Sequence, residues 1–207
     1  MKGGFLMEGE LRGYKGKRCL DVIVSLFFLI FLSPLFLLIG LAVKIFDGGP
    51  VIHLRRIPGL RENYFFMFKF RSMINGAEEQ EEEIYRMNGG KKPTNDSRIT
   101  KIGAVLRKFS LDELPQFANV LKGQMSSVGP RPMPIWRLEE LSSDYRQIRF
   151  VFLPGITGLA QVTNRSSSRL SADYRRLELK YFQNCSLWLD CKILLKTIHA
   201  VISGQGT

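Results

Sequence analysis

Hydrophobic and polar positions divide this chain into one long apolar block, two short strand-like stretches and several amphipathic segments. From Val22 to Val43 the sequence VIVSLFFLIFLSPLFLLIGLAV carries no charge over 22 residues. As a helix, such a block is long enough to cross about 30 Å of hydrocarbon. It continues into Lys44, Ile45 and Phe46 instead of closing on small residues at a cleavage site, so it reads as a retained anchor. Ser33 and Pro34 stand at its midpoint. Pro34 lacks a backbone donor and crowds the carbonyl of Ile30, which predicts a kink or break there. Both flanks are basic, with Lys2, Arg12, Lys15, Lys17 and Arg18 before and Lys44, Arg55 and Arg56 after. Flanking charge therefore does not choose between a spanning helix and a re-entrant one.

Beyond the turn at Gly48, Gly49 and Pro50, Val51 to Leu54 and Tyr64 to Phe70 read as two strands of a small hairpin joined around Gly59. Ala77 to Met87 reads as a highly charged, solvated helix followed by the break Gly89-Gly90-Lys91-Lys92-Pro93, and no chemistry is assigned to it. A helix over Lys101 to Phe109 stops at Ser110-Leu111-Asp112-Glu113-Leu114-Pro115, and another over Gln116 to Leu121 ends at Gly123. Leu187, Leu189, Ile193, Leu194, Ile198, Val201 and Ile202 recur at helical spacing with Asp190, Lys192 and Lys196 between them. They form an amphipathic helix facing core or membrane surface. Trp136, Ile148, Phe150, Val151, Phe152 and Leu153, beside Arg146 and Arg149, suit a lipid headgroup layer or a core equally well. The fold class is α+β and mainly helical. The organisation expected is a basic segment over 1–21, a membrane helix over 22–46 and a catalytic domain over 47–207. The short Ser166 to Ser168 run is the only low-complexity tract in the sequence.

Charge narrows the partners. With 30 Lys and Arg against 19 Asp and Glu, the net charge is +11, which points to nucleic acid, lipid headgroups or phosphorylated substrates. Cys19, Cys185 and Cys191 are odd in number and lack CxxC spacing, and only His53 and His199 are available to join them, so neither a disulfide framework nor a zinc site is suggested.

Asp112 and Glu113 are the strongest candidates for chemistry. On a helix, neighbours diverge by roughly 100°, so the two carboxylates suit separate roles better than convergence on one atom. One can attack phosphorus to form an acyl phosphate, while the other, with Mg²⁺, neutralises phosphate oxygens. Against this, Ser110 with Glu113 also fits a helix capping box. Lys69, Arg71, Arg107, Lys108 and Arg131 offer phosphate clamps, and Gly129-Pro130-Arg131-Pro132 places Arg131 on a stiff turn. Pro154 to Val162, PGITGLAQV, allows close backbone approach by a ligand.

Five ordered segments carry a resemblance: Ser33-Pro34 within the apolar block, Lys69 to Met73 (KFRSM), Ser110 to Gln116 (SLDELPQ), Gly129 to Pro132 (GPRP) and Pro154 to Val162. From about Lys17 to Ile202 the chain resembles the small monotopic phosphoglycosyl transferases, bacterial sugar transferases acting on polyprenyl phosphate. The resemblance implies a re-entrant helix broken at Ser33 and Pro34, on the bacterial inner membrane, with a catalytic domain on its cytoplasmic face. It implies that Asp112 attacks the β-phosphate of a UDP-sugar, releasing UMP, and passes the sugar-phosphate to polyprenyl phosphate. Glu113 assists through Mg²⁺, Arg107 and Arg131 clamp phosphate, and Lys69 and Arg71 line the site, with the backbone near Met73 close to the metal. Nucleic acid is then not a partner, whereas homodimer formation stays open. Relatives usually carry Arg-x-Gly where this chain has Ile57 and Gly59, with Arg56 displaced by one position. The 21 residues before Val22 are expected to leave no room for the extra helices of longer relatives, giving a minimal form. The rival readings are a basic anchored protein that binds lipid or nucleic acid, and a Mg²⁺-dependent membrane phosphatase.

Overall fold

The computed structural model describes residues 14–89, 93, 95–164 and 171–204. Most of the basic N-terminal segment, Gly90 to Lys92 of the glycine break, and the Ser166 to Ser168 run lie outside the described residues. The fold is α+β and mainly helical, with a small antiparallel hairpin.

The apolar block forms two helices, α1 (Lys17–Phe31) and α2 (Ser33–Asp47), bent by 62° across Leu32. Pro34 causes the break and its neighbour repairs it. The amide that would bond the Ile30 carbonyl is missing, and Ser33 Oγ donates to that carbonyl instead, at 2.8 Å. Among the described residues no single helix is long and apolar enough to cross a membrane, though the bent pair together is. The outer faces of both helices are apolar and exposed, through Ile23, Phe27, Ile30 and Phe31 on α1 and Leu37, Leu38, Leu41, Ile45 and Phe46 on α2. The inner face of α1 is polar. Asp21, 1% exposed, accepts from the Ser127 amide (2.9 Å), Ser126 Oγ (3.1 Å) and Lys17 Nζ (3.3 Å).

Strands β1 (Ile52–Pro58) and β2 (Tyr64–Phe70) pair antiparallel from Ile52↔Phe70 to Pro58↔Tyr64, so the first strand runs four residues past the predicted Leu54. Alternation sends Phe65 and Met67 inward to Ile57, Val120 and Met125. Helices α3 (Glu81–Met87), α4 (Lys101–Lys108) and α5 (Gln116–Leu121) follow, and α5 ends at Gly123, whose φ of 76° suits glycine.

Strand β3 (Ser126–Val128) leads into helices α6 (Ile135–Leu138) and α7 (Ser143–Arg149), then β4 (Gly155–Thr157), which pairs parallel to β3. The glycines of PGITG serve this pairing. A Cβ on Gly155 would lie 2.1 Å from the Gly129 nitrogen, and one on Gly129 would lie 2.4 Å from the Leu153 carbonyl. The close approach expected of a ligand is made by the chain itself. Helices α8 (Leu159–Thr163), α9 (Ala172–Asn184) and α10 (Leu187–Ile202) complete the fold.

The largest core cluster gathers Phe150 and Phe152 with Tyr145, Tyr181, Phe182 and Ile193, so the apolar cluster around residue 150 packs inward and is not a headgroup surface. Helix α10 shows apolar side chains on two faces: Ile193 is buried, while Trp188, Leu195 and Ile202 are exposed. Asp190, expected on its polar side, is instead fully buried. It accepts from Lys17 Nζ (2.6 Å), Tyr14 Oη (2.9 Å) and Tyr181 Oη (2.9 Å), which ties α1 to α10.

Candidate active site

Asp112 and Glu113 lie on a single 3-10 turn, Leu111–Glu113, between α4 and α5. Ser110, which precedes the turn, has φ 53°, a left-handed conformation that is costly for a residue with a Cβ. Its side chain makes no capping bond, so the capping-box explanation of Ser110 and Glu113 is not realised.

The two carboxylates occupy different surroundings. Glu113 Oε1 accepts from Lys69 Nζ and from an Arg131 terminal nitrogen, each at 3.0 Å. Asp112 is 6% exposed and accepts no hydrogen bond among the described residues. Burial pushes its carboxyl above the usual carboxylate range; Lys69 opposes this, Glu113 adds to it, and Arg107 and Arg131 oppose it more weakly.

Both acids open onto one cavity of about 560 Å³, and Lys69, Arg71, Arg107 and Arg131 line it with them. The fold thus brings together six of the seven residues offered for catalysis and phosphate binding, from four separate segments; Lys108 is exposed, lies over the Phe109 ring and does not line the cavity. Met73 lines it too. Ser33 and Pro34 stand apart at the helix bend. Arg71 is buried and donates to the Gly48 carbonyl, while its Nε has no partner.

Arg131 is fixed from behind. Arg149 donates to the Arg131 carbonyl at 2.6 Å and to Glu178, which also accepts from Tyr145, and all three side chains are buried. The stiff turn is therefore clamped by helices α7 and α9.

Sequence reasoning missed the opposite wall. The acidic run taken as solvated borders the cavity through Glu78, Glu81, Ile84 and Tyr85. Arg55 reaches Glu78 (3.2 Å) and Glu81, and the His53 hydrogen bond, helped by the Arg55 charge, holds the Glu78 carboxyl below its usual range. Spacing offered one signal: strand alternation puts His53 and Arg55 on the face of β1 that carries Ile57. That face lines the cavity, while Arg56 points outward and stacks on Tyr64, 4.3 Å from the ring centroid. The displaced arginine of the Arg-x-Gly step is not at the site.

Arg98, buried beside the cavity, holds Asp96 through Nε (2.8 Å) and a terminal nitrogen (2.7 Å) and donates to the Ala77 carbonyl at 2.7 Å. Its hydrogen bonds keep the Asp96 carboxyl below the usual range. Asp96 then stabilises the fold above its unfolded pKa of about 3.9, and that contribution is lost as pH falls through the folded value. We expect Asp96→Asn to cost about 2 kcal/mol at pH 7 and the deficit to shrink below about pH 4 in melting curves. A deficit independent of pH would contradict this.

Among the described residues no group of three or more His, Cys, Asp or Glu side chains is placed to hold a metal ion. The cavity offers a cation the adjacent pair Asp112 and Glu113. Mg²⁺ commonly takes one or two carboxylates and completes its shell with water and substrate phosphates, so this pair fits Mg²⁺ in that mode and does not form a closed cage.

A family model described as "Bacterial sugar transferase" matches residues 13–204. The chain belongs to the bacterial sugar transferase family. It is 40% identical over 206 residues to the exopolysaccharide production protein ExoY of Rhizobium meliloti, covering 94% of this chain and 89% of that protein. It is 41% identical to the UDP-glucose:undecaprenyl-phosphate glucose-1-phosphate transferase of Klebsiella pneumoniae, covering 88% of this chain and 39% of that protein. It is 39% identical to the undecaprenyl-phosphate galactose phosphotransferase of Salmonella typhimurium, covering 92% of this chain and 41% of that protein. The chain therefore spans most of ExoY and about two fifths of the length of the other two. Within this sugar transferase, Lys69 to Met73, Arg107, Asp112 with Glu113, and Arg131 with Pro132 border one cavity.

Proposed function

We propose that this sugar transferase moves a sugar-1-phosphate from a UDP-sugar to undecaprenyl phosphate, the first step in building a bacterial polysaccharide. The observation that carries the reading is Asp112: a buried carboxylate without hydrogen-bond partners among the described residues, facing a cavity whose lining includes Lys69, Arg71, Arg107 and Arg131. Such a carboxylate is poorly solvated and is available as a nucleophile toward phosphorus.

In the first step an Asp112 oxygen bonds the β-phosphorus while the bond from that phosphorus to the bridging oxygen breaks, and UMP leaves with the bridging oxygen. In the second step a phosphate oxygen of the lipid attacks the same phosphorus, the acyl-phosphate bond breaks, and Asp112 returns to a carboxylate. Lys69 and Arg131, held together by Glu113, orient and neutralise the phosphate oxygens, and Arg71 and Arg107 add positive charge. Mg²⁺ held by Asp112 and Glu113 would supply further neutralisation of phosphate charge.

The bent helix pair suits a lipid substrate. Each arm of 15 residues is about 22 Å long, so with both ends at one surface a 62° bend lowers the tip by roughly 12 Å. That is less than half of an about 30 Å hydrocarbon core. The exposed apolar side chains of both arms support burial in one leaflet of the inner membrane, with the cavity on the cytoplasmic side. Labelling of tags at Met1 and Thr207 from opposite sides of the membrane would refute this arrangement.

The deciding experiment is UMP release by detergent-purified protein with Mg²⁺ and a panel of UDP-sugars, with and without undecaprenyl phosphate. Lipid-dependent release with one sugar supports the transferase, whereas lipid-independent hydrolysis would point to a phosphatase.

A further inference from the structure

The wall of the cavity formed by α3 and α6 carries a cation that the mechanism above does not use. Arg137, on α6, is 6% exposed and lines the same cavity as Asp112. It donates to Tyr85 Oη at 2.8 Å, its guanidinium lies 4.3 Å from the Tyr85 ring centroid and 6.0 Å from that of Trp136, and its Nε has no partner. Three arginines along this cavity meet carboxylates, Arg55 with Glu78 and Glu81, Arg98 with Asp96 and Arg131 with Glu113, whereas Arg71 and Arg107 are the cations already assigned to the transferred phosphate. Arg137 has no carboxylate within salt-bridge distance among the described residues. Aromatic faces offset part of the desolvation of a buried guanidinium and fix its orientation, but they do not neutralise it. A buried, oriented and uncompensated guanidinium facing a cavity is a binding point for an oxyanion.

We propose that Arg137 binds the phosphate of the departing UMP. The inference rests on the transfer reaction proposed above. When the Asp112 oxygen bonds the β-phosphorus, the electron pair of the broken bond stays on the bridging oxygen, so the phosphate of the leaving UMP gains one negative charge. Lys69 and Arg131 are both drawn to Glu113, next to the attacked phosphorus. Arg137 stands on a different wall of the same cavity and meets the charge that develops on the leaving side. The side chain thereby acts on both nucleotide affinity and departure. Tyr85 is the positioning residue that holds it.

The test is calorimetric binding of UMP and of uridine to the full detergent-purified chain, comparing wild type, Arg137→Gln, Arg137→Lys and Tyr85→Phe. Wild type is expected to prefer UMP over uridine. That preference should fall roughly tenfold in Arg137→Gln and recover in part in Arg137→Lys, with uridine affinity unchanged. An unchanged preference in an Arg137→Gln protein that melts like wild type overturns the proposal. Equal loss of UMP and uridine binding, with lowered melting in both Arg137 variants, also overturns it by making the residue structural. If Arg137→Gln slows turnover only with donors whose sugar is acidic, the anion is the sugar carboxylate and the phosphate assignment falls. Wild-type protein that binds UMP but releases none from any donor would strike the transfer reaction instead, leaving the UMP-against-uridine comparison to judge Arg137.

Discussion

Asp112→Asn is expected to lower lipid-dependent UMP release on the order of 10⁴-fold while the protein melts no lower than wild type. The two halves of this result have one cause. The side chain is 6% exposed and takes no hydrogen bond among the described residues, so its charge is an expense to folding that a neutral amide of the same shape avoids. A gain of 1 kcal/mol corresponds to about 2–4 °C for a domain of this size. Rate measurement beside a thermal melt checks both. Near-normal turnover would sink the covalent mechanism, and a large fall in melting temperature would show that the carboxylate has a structural partner.

Glu178→Gln is expected to destabilise the fold by about 3–5 kcal/mol, because it leaves the guanidinium of Arg149 buried without its counter-charge. A triple replacement, Glu178→Leu with Arg149→Met and Tyr145→Phe, should recover most of that stability, since a buried ion pair can be exchanged for apolar groups at little net loss. Turnover should not recover with it. Arg149 also holds the carbonyl of Arg131, and without that bond the Arg131 guanidinium loses its fixed position against Glu113. Denaturant unfolding and UMP release, measured on the same preparations, separate the two. Activity restored along with stability would show that Arg131 needs no such support.

Local chemistry was legible in the sequence wherever one residue dictates its own surroundings. Pro34 announced the helix break, the short aromatic-rich run Tyr64 to Phe70 announced β2, and Gly123 announced the end of α5. The candidate phosphate clamps were legible as residue types in distinctive segments, although only the fold shows that Lys69, Arg71, Arg107 and Arg131 share a cavity and that Lys108 does not line it. What was hidden depends on pairing across distance. Glu78 and Glu81 looked like a solvated face because their arginine partner, Arg55, is more than twenty residues away on a strand. Asp190 looked like the polar side of an amphipathic helix because Lys17 and Tyr14, which make its burial tolerable, lie at the other end of the chain. The glycines of PGITG looked like a ligand cradle because the backbone they admit belongs to Gly129.

The support behind Arg131 has a property of its own. Burial, then the Glu178 charge, pushes the Tyr145 hydroxyl well above its ordinary range, and Arg149 stays protonated as any arginine does. Both donors to Glu178 therefore keep their protons across neutral pH. A change in turnover across neutral pH therefore does not arise from proton loss at the two donors that hold the scaffold behind Arg131.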